Sequence, residues 1–513
     1  MLSRFLTVGG LTLLSRVTGF LRDIMLAAIL GAGPAADAFF VALRLPNHFR
    51  AIFAEGAFNA AFVPAYARIR GEGGAAALFA DRVFTLLMAA EAVLLALALL
   101  FTPAVIGLLA PGFSRDPGRW MLAVELTRIT FPYLLLVSLV TLYGGILNAL
   151  GRFAAAAAAP ILLNLSMMAA LSLAVFFPTA GHAAAWGVLI AGVLEAALVA
   201  ADAKRHGVLP GFRRLVVDAD IRRFFRALGP ATLGSGGTQL ALFADTIIAS
   251  FLPTGAVSAL YYADRLNQLP IGVIGIAAGT VLLPDMAGKL ARGDAAGASH
   301  AQNRAVELTL LLSVPCGVAF LVVPDLIMRA MFARGAFTAA DAAAAGATLA
   351  AYTFGLLPFV LIRSLTASFF ARGDTATPMK ALMASVVVNI ALKIALMHDF
   401  AQVGLALATA AGAWVNISLV IWYARRAGYL AVDARLRRAI VKLVAAGVVL
   451  ALSLYLGARL LTPALSAWPA LRDETLLAML AAIGMITYGG MVAMLFGSEW
   501  LALLRRRTPG ADA

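Results

Sequence analysis

The apolar positions of this chain come in long continuous runs, at about residues 83–110, 121–150, 155–178, 183–201, 224–252, 256–288, 303–324, 342–370, 379–397, 403–423, 437–461 and 473–503. Two more, about 5–31 and 35–66, are punctuated by charges. A helix needs roughly 20 apolar residues to cross hydrocarbon, so each run predicts a membrane span. The pattern therefore predicts an all-α polytopic membrane protein of about 14 transmembrane helices. Connections are short and leave no large aqueous domain. The runs are rich in Ala, Leu, Val and Gly, as suits helices in close contact within lipid.

The pattern also repeats. Asp23-Ile-Met-Leu-Ala-Ala-Ile-Leu is matched by Asp245-Thr-Ile-Ile-Ala-Ser-Phe-Leu, Phe40 to Leu45 by Tyr261 to Leu266, Gly56 to Pro64 by Ala277 to Pro284, and Thr130-Phe131 by Thr353-Phe354. The offset stays near 222 residues throughout. A duplication in register predicts two six-helix repeats, 1–205 and 227–430, joined by a cytoplasmic linker at 206–226. Six is even, so both repeats enter the membrane in the same sense, around a central cavity whose axis lies along the membrane normal. Residues 431–513 hold two further helices without counterpart.

Composition agrees. The chain is 62% hydrophobic and 13% charged, with a mean hydropathy of +0.93, whereas soluble domains carry about 25% charge. An ordinary soluble enzyme is excluded. The net charge of +14 would suggest nucleic acid in a soluble protein, but its distribution says otherwise. Of 40 Lys and Arg, 26 fall in loops on one side, seven (Arg115, Arg119, Arg128, Arg329, Arg334, Arg459, Arg472) on the other, and seven inside runs. The positive-inside rule then places both termini and the 202–226 loop in the cytoplasm. Arg16, Arg22 and Asp23 interrupt the first apolar run, which reads as a retained span rather than a signal peptide. The single cysteine, Cys316, rules out an intramolecular disulfide.

The basic residues inside runs are Arg16, Arg22, Arg44, Arg50, Arg265, Arg363 and Lys393. An ionisable group within a span costs several kcal/mol and marks a functional site by default. Arg16, Arg22, Arg50 and Arg265 are candidates for substrate contact, because the guanidinium fork suits phosphate and carboxylate. Asp23, Asp37, Glu55 and Asp264 are candidate cavity counter-ions that hold those arginines in place. Arg44 reads either as a cavity residue or as one that snorkels to a membrane face. Gly19, Gly31, Gly33, Pro34 and Pro46 suggest bends beside these charges, or ordinary kinks. A possible coupling site combines Asp245 with Asn389 and Lys393, which lie four apart on one helix face; the alternative is a snorkelling lysine. No GxxxxGK[ST], HExxH or paired-cysteine motif occurs, and the five histidines, including His48, are scattered. No metal, cofactor or catalytic residue is expected.

The stretches Ser15-Arg16-Val-Thr-Gly19-Phe20-Leu-Arg22-Asp23, Asp37 to Asn47, Arg50-Ala-Ile-Phe-Ala-Glu55-Gly56-Ala-Phe, Tyr261-Tyr-Ala-Asp264-Arg265-Leu, Arg334-Gly-Ala-Phe-Thr and Phe370-Ala-Arg372-Gly-Asp374-Thr-Ala-Thr-Pro378 resemble the MurJ/MviN family of lipid II flippases, within the multidrug, oligosaccharidyl-lipid and polysaccharide exporter superfamily. The resemblance covers nearly the whole chain. It implies transport of lipid II, the undecaprenyl-diphosphate-linked peptidoglycan precursor, from the cytoplasmic to the periplasmic leaflet of the bacterial inner membrane by alternating access. The family's cavity arginines map onto Arg16, Arg22, Arg50 and Arg265, with acidic partners at Asp23, Asp37 and Glu55. Its last two helices are thought to form a groove for the lipid tail, which would account for residues 431–513. Lys393 stands where some relatives are expected to carry a cation-coordinating acid, which puts sodium coupling in doubt. The expected partners are lipid II, membrane lipids and the peptidoglycan synthesis machinery, without nucleic acid. The rival readings are a flippase for another polyprenyl-diphosphate glycan, an ion-coupled multidrug exporter, and a membrane glycosyltransferase or polymerase. The last would need catalytic carboxylates and a sizeable extramembrane loop, neither of which is evident.

Overall fold

A computed structural model describes residues 2–49, 58–214, 216–465 and 471–506, and every regular element among them is helical. By its contacts the chain forms two units: Met1–Ser258 with Arg334–Thr338, and Ala259–Ala333 with Ala339–Ala513.

The first unit contains α1 (Leu2–Leu30), α2 (Pro34–Phe49), α3 (Phe58–Gly71), α4 (Ala76–Leu100), α5 (Thr102–Leu109), α6 (Pro117–Thr130), α7 (Pro132–Ala149), α8 (Ala154–Ser172), α9 (Ala180–Arg205) and α10 (Ala219–Ser250). α11 (Ala256–Pro270) starts in this unit and continues into the second. There a π-helical turn, Ile271–Gly275, leads into α12 (Ile276–Ala291), followed by α13 (Ala295–Val322), α14 (Pro324–Phe332), α15 (Ala339–Thr353), α16 (Leu356–Phe370), α17 (Ala376–Arg426), α18 (Ala434–Ala464) and α19 (Arg472–Arg506).

Helix starts follow local chemistry. Asp116, Thr179, Asp218, Asp294 and Asp433 each accept a hydrogen bond from the backbone N–H three residues on, capping α6, α9, α10, α13 and α18. Pro117, Pro132 and Pro324 occupy first-turn positions, where the missing N–H has no acceptor to serve.

Nine helical segments among the described residues are long and apolar enough to cross a membrane. The charge-bearing helices α1, α2, α10 and α11 are not among them; α2 and α11, at 16 and 15 residues, are too short to cross hydrocarbon as single segments. One of the nine, the 51-residue α17, turns at Ala401 (φ 45°). A Cβ placed on Gly404 would meet the Leu396 carbonyl oxygen at 2.6 Å, and one on Gly412 would lie 3.0 Å from Asn389 Cβ. The two legs therefore pack antiparallel, matching the separate runs read at 379–397 and 403–423. α1, in contrast, runs unbroken through Gly19. That glycine makes room for Asn164, whose amide nitrogen would sit 3.4 Å from an added Cβ, and so serves a close approach of α8 rather than a break.

Aromatic packing closes one end of the first unit. Phe62 stacks on Phe58 and Phe79 at 5.2 and 5.7 Å, with Phe224 of α10 edge-on. The segment before α10 is laid along α4: Gly211 N–H donates to Asp81 at 2.8 Å, Arg213 N–H to Thr85 at 2.9 Å, and Arg82 pairs with Asp218. At the end of α1, Ala336 N–H donates to the Ala28 carbonyl at 2.7 Å. Gly335 (φ 61°) lies so close that any Cβ would overlap that carbonyl.

In the second unit α18 uses glycines on two faces, Gly447 against Val314 of α13 and Gly457 against Leu480 of α19, as lipid-embedded helices do to approach closely. Tyr488 of α19 donates to the Leu311 carbonyl at 2.8 Å, and Arg329 of α14 reaches Asp473 at 3.0 Å. The connection from α17 to α18 is held by Arg304, which donates to both Asp433 oxygens at 2.8 Å, and by Asn303, which donates to the Ala431 carbonyl at 2.8 Å. Burial pushes the Asp433 carboxyl up, but the Leu436 N–H and the Arg304 guanidinium outweigh it and hold the group below the usual aspartate value. A depressed folded value stabilises fully above the unfolded value of about 3.9, and that support is lost as pH falls through the folded value. Acidification below about pH 4 is thus expected to expose residues 427–433 to protease. Asp433→Asn should show the same cleavage at neutral pH; an unchanged digestion pattern in both cases would refute the linkage.

Candidate functional site

The first charged cluster joins α1 to α8. Arg22 and Asp23 are 9% and 3% exposed. Arg22 Nε and Nη2 donate to Asp23 Oδ1 at 3.1 and 2.7 Å, and Nη1 donates to Asn164 Oδ1 at 2.9 Å. Asn164 Nδ2 donates in turn to the Ser15 carbonyl at 2.9 Å and to Thr18 Oγ1 at 3.0 Å. The guanidinium is thus gripped on two edges, which fixes its orientation at little entropic loss on binding an anion. Arg16, six residues earlier, is exposed. Sequence reasoning overlooked Asn164, although an amide inside an apolar run was a signal of interhelical bonding.

A second cluster surrounds Asp37, which is fully buried. Its Oδ1 accepts from Ser258 N–H at 2.9 Å and from Ser258 Oγ at 2.6 Å; its Oδ2 accepts from Gly255 N–H at 2.8 Å and from Arg119 Nη1 at 3.4 Å. A carboxylate of α2 therefore caps the first turn of α11, where unpaired N–H groups and the helix dipole favour negative charge. The Arg119 guanidinium stands 4.2 Å over the Phe113 ring. Arg119 counted only as a loop charge in the sequence, because nothing in a linear pattern links positions so far apart.

Elsewhere in this unit Arg44 is half-buried and donates to Thr246 Oγ1 of α10 at 2.9 Å. Its neighbour Asp245 is half-buried, and His48 packs its ring 4.6 Å from Phe243. Arg50 and Glu55 lie outside the described residues.

In the second unit, Arg265 is half-buried, with its guanidinium 4.7 Å above the Tyr261 ring one turn back. Asp264 is half-buried and accepts from Gln268 Nε2 at 3.4 Å. Lys393, 2% exposed, and the half-buried Asn389 share the first leg of α17. Arg363 is exposed, and its stem lies beside Gly275 in the π-helical turn. No group of three or more His, Cys, Asp or Glu among the described residues is arranged to hold a metal ion. The fixed, buried guanidinium of Arg22 suits recognition of an anion.

Residues 26–469 match the family model described as lipid II flippase MurJ. Among curated proteins, a probable lipid II flippase MurJ of Rhizobium meliloti (strain 1021) is 41% identical over 100% of this chain and 97% of that protein. One of Rickettsia prowazekii (strain Madrid E) is 35% identical over 83% and 84%. Among solved structures, a lipid II flippase MurJ in an inward closed conformation superposes with a TM-score of 0.82 at 23% identity, covering 96% of this chain and 99% of that one. An inward-facing multidrug resistance MATE transporter of the MOP superfamily gives 0.68 at 13% identity, covering 80% and 94%.

Proposed function

Since the chain belongs to the lipid II flippase MurJ family, we propose that it carries lipid II from the cytoplasmic to the periplasmic leaflet of the bacterial inner membrane by opening alternately to the two sides. The whole-length match at 41% identity carries this reading. The chain is a multi-pass membrane protein, and the excess of Lys and Arg on alternate loops supports cytoplasmic termini.

The headgroup's diphosphate and carboxylates must leave water, while the polyprenyl tail remains in hydrocarbon. Arg16, Arg22, Arg50 and Arg265 supply the cationic contacts that offset this desolvation. Asp23, Asp37, Glu55 and Asp264 serve as counter-ions, and α18 with α19 offers the tail an apolar surface. Val441, Val444, Leu452 and Met485 of these helices are exposed, which supports that role. An arginine site must favour the anion more in one conformation than the other, because a ligand shifts a balance only through differential affinity. Asp245, Asn389 and Lys393 are assigned to coupling, with the lysine as a built-in cation. The peptidoglycan synthesis machinery is the partner that would consume the delivered substrate.

Depletion of the protein in growing cells tests the reading. Lipid II is expected to accumulate, chemically unchanged, in the inner leaflet of the cytoplasmic membrane, as read by an accessibility assay that resolves the two leaflets. Restored expression should clear it. An unchanged leaflet distribution on depletion would sink the assignment.

A further inference from the structure

Two buried acids of the first unit, Glu91 and Glu195, lie in spans and take no part in the site above, and Glu195 accepts from the Tyr133 hydroxyl at 3.3 Å. Glu91 occurs in α4, whose run is otherwise free of charge from Val83 to Ala110. It is 5% exposed. Its Oε1 accepts from Ser138 Oγ of α7 at 2.9 Å, and its Oε2 is buried without a hydrogen-bond partner among the described residues.

Position along α4 sets its surroundings. At the start of the helix, Asp81 and Arg82 are engaged with Gly211, Arg213 and Asp218. Phe84 follows, 6.3 Å from the Tyr143 ring and 4.9 Å from Phe212. Glu91 lies two turns further on the same stripe, about 10 Å along the axis. Beyond it Leu95 and Ala98 join Leu109, Phe131 and Phe243 in an apolar cluster. The carboxyl lies between an aromatic layer and this mixed apolar cluster.

Among the described residues, the helices packed against α4 bring no cation to this level. α7 offers the tyrosines 133 and 143, and α5 has no titratable group. α3 has Tyr66 together with Arg68 and Arg70 in its last turn, and Arg68 is engaged by Glu72 and Asp220. α10 carries Asp220, Arg222, Arg223 and Arg226 in its opening turns, beside the charged start of α4, and Asp245 toward its far end. An ionised carboxylate confined here without a cation would bear a desolvation penalty of several kcal/mol. A neutral acid bears far less, and Oε2 is the oxygen left to hold the proton.

We propose that Glu91 is an intramembrane proton-binding site, whose Oε2–H bond yields its proton to water when α4 and α7 part at Ser138, the electron pair staying on the carboxylate, and is reformed when they close. Proton movement is thereby tied to headgroup passage. The tie to the cycle rests on the flippase reading; the protonated acid does not.

The test uses the full-length protein in proteoliposomes. Infrared spectra of the wild type at neutral pH are expected to contain a protonated carboxylic C=O band that E91Q lacks. Glutamine is neutral at every pH and still accepts from Ser138. E91Q is therefore expected to lose at least about tenfold in lipid II translocation rate, together with the pH dependence of the wild type. Ser138→Ala keeps the acid but removes a donor that favours its ionised form, and should displace the pH profile toward higher pH. If E91Q fails to fold, the wild-type pH titration of the band and the Ser138→Ala profile decide. No such band in the wild type overturns the proposal. So does E91Q translocating at the wild-type rate and pH profile, or an unmoved Ser138→Ala profile, since a purely structural clamp predicts both. A band present in a wild type that does not translocate lipid II would refute the flippase reading and leave the proton site standing.

Discussion

Arg22→Ala is expected to reduce lipid II translocation by roughly a hundredfold or more, since truncating one partner of a buried charged pair costs about 2–5 kcal/mol. Two effects are mixed in that number. Loss of the guanidinium removes an anion ligand, and it also strands Asp23 and Asn164, which it bonds at 2.7 and 2.9 Å. Pairing it with Asp23→Asn separates them. The double variant no longer buries an unpaired carboxylate, so its denaturation temperature should recover toward wild type while translocation stays low. Recovery of both would reduce Arg22 to a structural tie between α1 and α8. Arg22→Lys sharpens the distinction: a point charge cannot bond Asp23 and Asn164 on two edges at once, so it should recover little of the rate.

The largest effect on stability is expected at Asp37. Asp37→Ala leaves the Ser258 and Gly255 N–H groups, the Ser258 hydroxyl and the Arg119 guanidinium without their acceptor. Breaking a buried charged network in this way costs about 3–5 kcal/mol. Asparagine should rescue little, because its NH₂ would face donors on one side. Arg119→Ala should cost less, since three donors still satisfy the carboxylate. Ser258→Ala should cost about 1 kcal/mol, the worth of one hydrogen bond. Thermal denaturation of the detergent-solubilised protein measures the series, and equal losses at Asp37 and Ser258 would contradict the clamp.

How far the sequence could be read depended on the range of the interaction. Spans, caps and the turn near residue 401 follow from contiguous hydropathy and neighbouring residues, so they were visible. The expected bends beside the charges were not all realised: α1 passes straight through Gly19 because the vacancy is filled by Asn164. That Arg22 and Asp23 lie side by side was legible, and that an asparagine of α8 completes their grip was not. Asp37 is a counter-ion candidate by its charge within a span and by the family resemblance, neither of which names its partners. Its surroundings, the Gly255 and Ser258 N–H groups, the Ser258 hydroxyl and Arg119, bring together three parts of the chain that no periodicity connects. Glu91 was overlooked although its signal was plain, a lone acid in an apolar run.

The five residues Arg334–Thr338 belong to the first unit although the chain on both sides of them belongs to the second. Synthesis proceeds from the N-terminus, so α1 to α10 leave the ribosome long before the segment that bonds the end of α1. During that interval the Ala28 carbonyl lacks the Ala336 N–H, and the N-terminal half must wait in the membrane unfinished. Completion of the earlier unit is in this way deferred until most of the later one has been made, a timing constraint on biogenesis written into the path of the chain.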